Sequence, residues 1–219
     1  MRDLTLSQEY LICAVNEKGT LFTFNTEKLV CLVAAALLEL QLEGCAAVDK
    51  KFITVTGPLP QEMAHLRPLY DYLNTGKPMQ TEKLLEEYTS PVTDAHLNGL
   101  MAAIGDSLVQ QGLMTPVKAG LLGKKQGYLP TREAINAVVD LVRAELLEEG
   151  EVTEDVAALV ILLEQGKCLK PYFSAFEQKE MRDKLQAISQ TPAGKAVRDM
   201  VEYVENLIAV MTRLVTVFT

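Results

Sequence analysis

The stretch TEKLVCLVAAALLELQLEG, residues 26–44, is the longest uniformly apolar helical pattern in the chain. Thr26 can cap its amino end, and Glu27 suits its first turn because acidic side chains stabilise the amino end of a helix dipole. Gly44 stands where a helix commonly ends in a left-handed residue. The composition at both ends therefore predicts a helix with defined limits.

The middle of this stretch, residues 29–38, is apolar on every face. A helix of that kind must be surrounded on all sides, and its three consecutive alanines allow close approach by neighbouring helices. A membrane span needs roughly 20 apolar residues, and Glu39 and Gln41 interrupt this run too early. We therefore predict a central helix buried in protein, with the rest of the chain packed around it.

The flanking sequence shows helical and strand patterns separated by Gly, Pro and cap residues. A short amphipathic helix capped by Ser7 is predicted before the central one. Further helices are predicted over residues 60–73, 81–88, 93–111, 131–149, 153–165, 177–189 and 193–216, and β-hairpins over 46–57 and 113–129. No linker separates independent units. We predict a mainly α-helical bundle forming one domain over residues 1–219, with one or two small β-hairpins.

Composition limits the classes of partner and the compartment. The formal charge of −8 and the sequence pI of about 4.9 argue against a general nucleic-acid-binding protein. The four cysteines, Cys13, Cys31, Cys45 and Cys168, form no CxxC pair, and we expect buried, reduced thiols in a cytoplasmic protein. The start, MRDLTLSQEY, has no apolar core typical of a secretory signal peptide.

The hairpin over residues 113–129 is the best candidate for a functional surface. Its glycines flank an apolar tip, Leu121 and Leu122, and acidic residues are absent around it. Burying each leucine is worth roughly 1.5 to 3 kcal/mol, and each lysine near an anionic surface adds about 1 kcal/mol. The tip could contact a membrane or another protein, including a second copy of the chain, or fold back onto its own core. The lysines of this predicted patch are Lys118, Lys124 and Lys125.

The sequence offers no recognisable catalytic constellation. His65 and His96 are the only histidines, and neither has the spacing of a metal ligand, so we expect each at the surface or at a helix cap. The segment GLLGKKQG, residues 120–127, lacks the Lys-Ser/Thr ending of a phosphate-binding loop. We predict that the protein is not an enzyme and needs no metal or cofactor.

Glu39 is the most unusual carboxylate because it interrupts an otherwise apolar helix. One interpretation is a buried acid with a raised pKa that serves a function. The other is a structural carboxylate that accepts hydrogen bonds from the amides of a neighbouring helix or faces the last solvated turn. The structural interpretation is favoured.

Five short motifs occur in order along the chain: LTLSQEYLICAV at residues 4–15, LLELQLEG at 37–44, TGPLP at 56–60, LVQQGLM at 108–114 and VTVFT at 215–219. Together they resemble the Golgi phosphoprotein 3 (GPP34) family from Leu4 to the carboxyl terminus. The chain is similar in length to the bacterial members of that family. The resemblance implies a mostly helical single domain, with a projecting hairpin, that associates peripherally with membranes.

The resemblance also implies where a lipid phosphate would bind. In the eukaryotic members a tryptophan and three arginines hold phosphatidylinositol 4-phosphate. These positions correspond here to Phe24 for the tryptophan and to Val33, Asn98 and Met101 for the arginines. None of the three arginines is present, and each charge-assisted hydrogen bond lost with them is worth about 1.5 to 3 kcal/mol. Recognition of phosphatidylinositol 4-phosphate is therefore not expected to carry over. Phe24 and Asn98 mark the position that a lipid headgroup would occupy.

Overall fold

The predicted central helix is the helix α2 (Thr26–Leu42) in the computed structural model of the protein, which describes residues 4–21, 26–49, 51–89, 95–120 and 125–217, and the side chains as far as residue 213. Every residue from Leu29 to Leu38 is at most 2% exposed. Four of the described helices pack against α2, namely α1 (Leu6–Ala14), α4 (Thr81–Thr89), α7 (Glu154–Gln165) and α9 (Lys195–Val217). The all-round apolar pattern is therefore satisfied by burial within the protein, as predicted.

The described helices follow the predicted segments closely. In chain order they are α1 (Leu6–Ala14), α2, a 3-10 helix (Gln61–Leu66) that continues into α3 (Arg67–Leu73), α4 (Thr81–Thr89), α5 (Ala95–Gln110), α6 (Arg132–Leu146), α7 (Glu154–Gln165), α8 (Ala175–Ser189) and α9 (Lys195–Val217). The mainly α fold with small β-hairpins is thus confirmed. None of the helices within the described ranges is long and apolar enough to cross a membrane.

One hydrophobic cluster joins these helices into a single core. α7 is the second deeply buried helix, because every residue from Val156 to Leu163 is at most 6% exposed. α9 lies across both α2 and α7, and its apolar stripe faces the core at Val197, Val204, Ile208 and Met211. α8 buries only Met181 and Leu185, and its other residues are half-buried or exposed.

Two small antiparallel sheets accompany the helices. The predicted hairpin after Gly44 is present as β1 (Ala46–Val48) and β2 (Phe52–Val55), and β3 (Met79–Gln80) pairs with the free edge of β2. Strand β3 was not expected from the sequence, because two residues are too few to show an alternating pattern. The second sheet is the hairpin of β4 (Met114–Ala119) and β5 (Lys125–Pro130).

The helix caps show which local predictions were correct. Two predicted helical segments begin at their cap residues: the Thr131 hydroxyl accepts a hydrogen bond from the amide of Ala134 at the start of α6, and Thr153 caps α7 in the same way. Ser7 was predicted to cap α1, and that prediction is wrong. The cap is Thr5, whose amide donates to the side chain of Gln8 at 3.1 Å, so Ser7 lies inside the first turn and is fully buried.

Candidate functional site

The candidate site is the hairpin formed by β4 and β5. The two strands pair from Met114 opposite Pro130 to Ala119 opposite Lys125. The predicted tip residues Leu121, Leu122 and Lys124 lie outside the described residues. The described part of the site is therefore the pair of strands leading to that tip.

Lys118 and Lys125 are both exposed at the end of the hairpin that leads to residues 121–124. Lys118 lies opposite Gln126, whereas Lys125 lies opposite Ala119, one position further along the ladder. Successive side chains of a strand point to opposite faces. The two lysines therefore leave the hairpin from opposite faces and do not form a one-sided patch.

The hairpin is seated on α5 by the side chain of Tyr128, which is 1% exposed. The Tyr128 ring lies directly over Gly105 in the middle of α5. A Cβ atom at position 105 would stand 2.6 Å from three carbon atoms of the ring, a distance at which the ring or the backbone would have to move. Gly105 therefore forms a notch in α5 that only glycine can provide without displacing Tyr128.

Polar contacts close around the same ring. The Tyr128 hydroxyl donates to Asp106 Oδ1 at 2.8 Å, and Gln126 Nε2 donates both to the Tyr128 oxygen at 2.7 Å and to Asp106 Oδ1 at 3.1 Å. Burial, and then the neighbouring Asp106, raise the pKa of the Tyr128 phenol above its ordinary value. The hydroxyl thus remains a proton donor at neutral pH.

The loop after α1 holds the other side of the hairpin. The Tyr128 amide donates to the carbonyl of Gly19 at 2.7 Å, and Gly19 adopts a positive φ of 69°. A Cβ atom at Gly127 would lie 2.9 Å from the carbonyl oxygens of both Lys18 and Gly19. Glycine at 127 therefore permits the close approach of two backbones, a role that no local sequence pattern indicated.

The residues that correspond to the family's phosphate site lie in different surroundings. Val33 is fully buried in α2 and Met101 is 7% exposed in α5, while Asn98 is half-buried on α5. Phe24 lies outside the described residues. Burial at positions 33 and 101 is consistent with their apolar side chains. The assignment of Phe24 and Asn98 to a lipid headgroup stays a prediction.

A buried polar cluster joins the amino end of α1 to α2 and the 3-10 helix. Glu39 Oε2 accepts a hydrogen bond from the amide of Ser7 at 2.6 Å, and Glu39 Oε1 lies 3.0 Å from Nε2 of His65. Both side chains are nearly inaccessible, with Glu39 6% and His65 5% exposed. The structural interpretation of Glu39 is confirmed, whereas His65, expected at the surface or at a helix cap, is buried against Glu39 instead.

This cluster does not have the geometry of a proton relay. The Thr5 hydroxyl lies 3.3 Å from His65 Nε2, the same nitrogen that contacts Glu39. In a nucleophile–histidine–acid triad the two partners contact different ring nitrogens, so that the imidazole can pass a proton between them. The arrangement around His65 therefore crosslinks three elements and does not activate the Thr5 hydroxyl.

Glu9, in the first turn of α1, is a second buried acid and is 8% exposed. Burial raises its pKa to about 8, and the negative charges of Asp155, Glu39 and Glu145 act in the same direction. An acid with this pKa is mostly protonated at neutral pH. Because the neighbouring charges come from α2, α6 and α7, no pattern within α1 could have revealed this shift.

His96, the other histidine, belongs to an aromatic cluster at the start of α5. Its ring stacks on Tyr88 with a centroid separation of 5.6 Å and lies 4.6 Å from the ring of Tyr72. Rings this close together pack on one another and leave no space for a ligand between them. His96 therefore has a packing role.

The four cysteines are buried and free, which agrees with the expected side-chain burial. Within the described part of the chain, no group of three or more His, Cys, Asp or Glu side chains could hold a metal ion.

A cleft of about 250 Å³ lies between β1 and α9 and is lined by Val48, Asp49, Tyr203, Asn206, Leu207 and Val210. The Tyr203 hydroxyl, on the lining of this cleft, donates a hydrogen bond to Gln41 Oε1 at 2.6 Å.

Nearly the whole chain resembles a known protein family. The family model described as Golgi phosphoprotein 3 (GPP34) matches residues 6–204, which is nearly the whole chain. The matched range contains the central helix, the polar cluster around Glu39 and the hairpin β4–β5. No curated protein matches the chain.

Proposed function

Because the chain belongs to the Golgi phosphoprotein 3 (GPP34) family, we propose that it is a non-enzymatic binding protein that attaches peripherally to anionic membrane surfaces through the hairpin β4–β5. The observation that carries this proposal is a hairpin held firmly at its base with exposed lysines near its far end. Between the described strands, the sequence supplies two leucines and a further lysine.

The charge distribution explains why attachment must be local. The chain carries a formal charge of −8, so an anionic surface repels the protein as a whole. Lys118 and Lys125 are on opposite faces of the hairpin, and this placement suits an element that enters the interface end-on, with cations on both sides. Lipid headgroups would then surround the hairpin while Leu121 and Leu122 contact the acyl boundary.

Binding to vesicles tests the proposal. Vesicles of phosphatidylcholine with phosphatidylserine should sediment the wild-type protein at low salt, and less of it as salt rises, because the lysine contribution is screened. The double variant Leu121→Ser plus Leu122→Ser should bind more weakly. Phe176→Ser is the matched apolar control, since Phe176 is 68% exposed and belongs to α8, outside the hairpin.

A second pair of variants isolates the charge. Lys118→Glu and Lys77→Glu make the same change in net charge at exposed positions, but only Lys118 lies in the hairpin. We expect Lys118→Glu to weaken vesicle binding more than Lys77→Glu does. Wild-type protein that binds no vesicle of any anionic content, or equal effects of the two lysine variants, would contradict attachment through this hairpin.

A further inference from the structure

We infer that Tyr128 is the positioning residue of the hairpin: its ring in the Gly105 notch and its hydroxyl on Asp106 set the angle at which β4 and β5 leave the helical body. The effect of this orientation on membrane binding rests on the proposed function. The orientation itself can be measured without a membrane, so the positioning role of Tyr128 and the membrane function can fail separately.

The hairpin needs such a contact because a two-stranded ribbon is marginally stable by itself and its direction is not determined by its own hydrogen bonds. The ladder places Tyr128 opposite Pro116 and Gln126 opposite Lys118. These four residues share one face of the ribbon, since side chains two apart on a strand point to the same side. Tyr128 is the member of that face that is buried against α5.

Three contacts in different directions hold Tyr128. The ring lies against Gly105, the hydroxyl donates to Asp106, and the main-chain amide donates to the Gly19 carbonyl on the other side. A single contact would leave the ribbon free to pivot, whereas three contacts that do not lie on one line determine its orientation. Gln126 strengthens the arrangement because its amide group donates to both Tyr128 and Asp106.

The direction of the hairpin decides which side chains reach a partner. Lys118 lies on the Tyr128 face and Lys125 on the opposite face, so a tilt of the ribbon moves one lysine toward a flat surface and the other away from it. Tyr128 therefore acts on binding through the placement of other residues and need not touch the membrane. Its contribution should show as a change in orientation even in a variant that remains folded.

Glycine variants of α5 provide the sharpest test. In Gly105→Ala the new Cβ collides with the Tyr128 ring, whereas Gly99→Ala in the same helix adds a Cβ with nothing within 4 Å. Spin labels on Lys118→Cys in the hairpin and Lys83→Cys in α4 report the orientation, because both positions are exposed and the four native cysteines are buried. Their distance distribution is measured by pulsed electron paramagnetic resonance.

We expect Gly99→Ala to keep the wild-type distribution and Gly105→Ala to shift or broaden it. Tyr128→Phe, which keeps the ring and loses the hydroxyl, should change it less. A folded Gly105→Ala protein with the wild-type distribution overturns the inference. If Gly105→Ala does not fold, Asp106→Ala replaces it, and an unchanged distribution in that variant overturns the inference equally.

Vesicle sedimentation with the unlabelled variants separates the two claims. If both hold, Gly105→Ala binds anionic vesicles roughly threefold to tenfold more weakly than Gly99→Ala, which is the size expected from losing a few polar and packing contacts. If the label distance changes but wild-type protein binds no vesicles, positioning by Tyr128 stands and the proposed membrane function falls.

Discussion

The carboxylate of Glu39 in α2 caps the amino end of α1, with Oε2 2.6 Å from the amide nitrogen of Ser7. The first amides of a helix have no partner within the helix, and Ser7 is fully buried away from water. A side chain from another helix thus supplies the acceptor that the first turn of α1 lacks. His65 then approaches the other oxygen of the same carboxylate.

Removing the Glu39 carboxylate should destabilise the fold. Glu39→Ala leaves the buried Ser7 amide without its acceptor and the buried His65 ring with only the longer contact to the Thr5 hydroxyl, and we expect a loss of roughly 2 to 4 kcal/mol in the free energy of unfolding. Glu39→Gln keeps one oxygen for the Ser7 amide and should cost less. Urea unfolding measures both. Glu43→Ala, an exposed change just beyond the end of α2, is the control, and equal losses at positions 39 and 43 would refute this role.

Glu9 should make stability depend on pH. Its pKa of about 8 in the folded protein is above the ordinary 4.5, so the folded state binds more protons between those values. The contribution of Glu9 to the free energy of unfolding is complete below about pH 4.5, decreases as pH rises, and is lost above about pH 8. The full span of the shift corresponds to at most about 5 kcal/mol.

Glu9→Gln removes this titration, because the amide stays neutral at every pH. Compared with the wild type, the variant should gain relative stability as pH rises from 5 to 8.5. Urea unfolding of both proteins across that interval gives the difference directly, and contributions from other titrating groups cancel in it. A difference that does not change with pH would show that Glu9 is ionised in the folded protein.

The cysteines should react slowly while the protein is folded. All four thiols are buried, and burial raises the pKa of Cys31 to about 12 and that of Cys13 above its ordinary range. The thiolate is the reactive species, so both access and ionisation oppose reaction. A thiol reagent at pH 8 should modify the native protein far more slowly than the urea-unfolded protein. In the unfolded protein we expect four thiols to react per chain. Rapid native labelling would indicate that the core around α2 opens readily.

Self-association through the hairpin is the alternative to membrane attachment. Light scattering at increasing protein concentration would then show an oligomer that Leu121→Ser plus Leu122→Ser dissociates, while Phe176→Ser leaves it intact. Under the membrane proposal the wild-type mass remains that of a 24.2 kDa monomer unless vesicles are present. An oligomer that the hairpin variant dissociates, together with no binding to vesicles, would favour the interaction module.

The amino-acid pattern alone was sufficient to predict those parts of the fold that depend on local periodicity. An all-apolar run must be buried, so residues 29–38 identified the core helix, and regular stripes and cap residues predicted α6, α7 and α9 with small errors at their ends. The five motifs in order were enough to indicate the family. The small strand β3 escaped because its two residues follow no period.

Contacts between residues that are far apart in the chain became visible only in the folded protein. Glu39 is 32 positions from Ser7 and 26 from His65, and Gly105 is 23 positions before the ring that fills its notch, a separation that no helical or strand period encodes. The burial of His65 and the raised pKa of Glu9 likewise come from neighbouring elements. Local periodicity specifies which face of an element is apolar, whereas partners across the core are selected when those faces pack together.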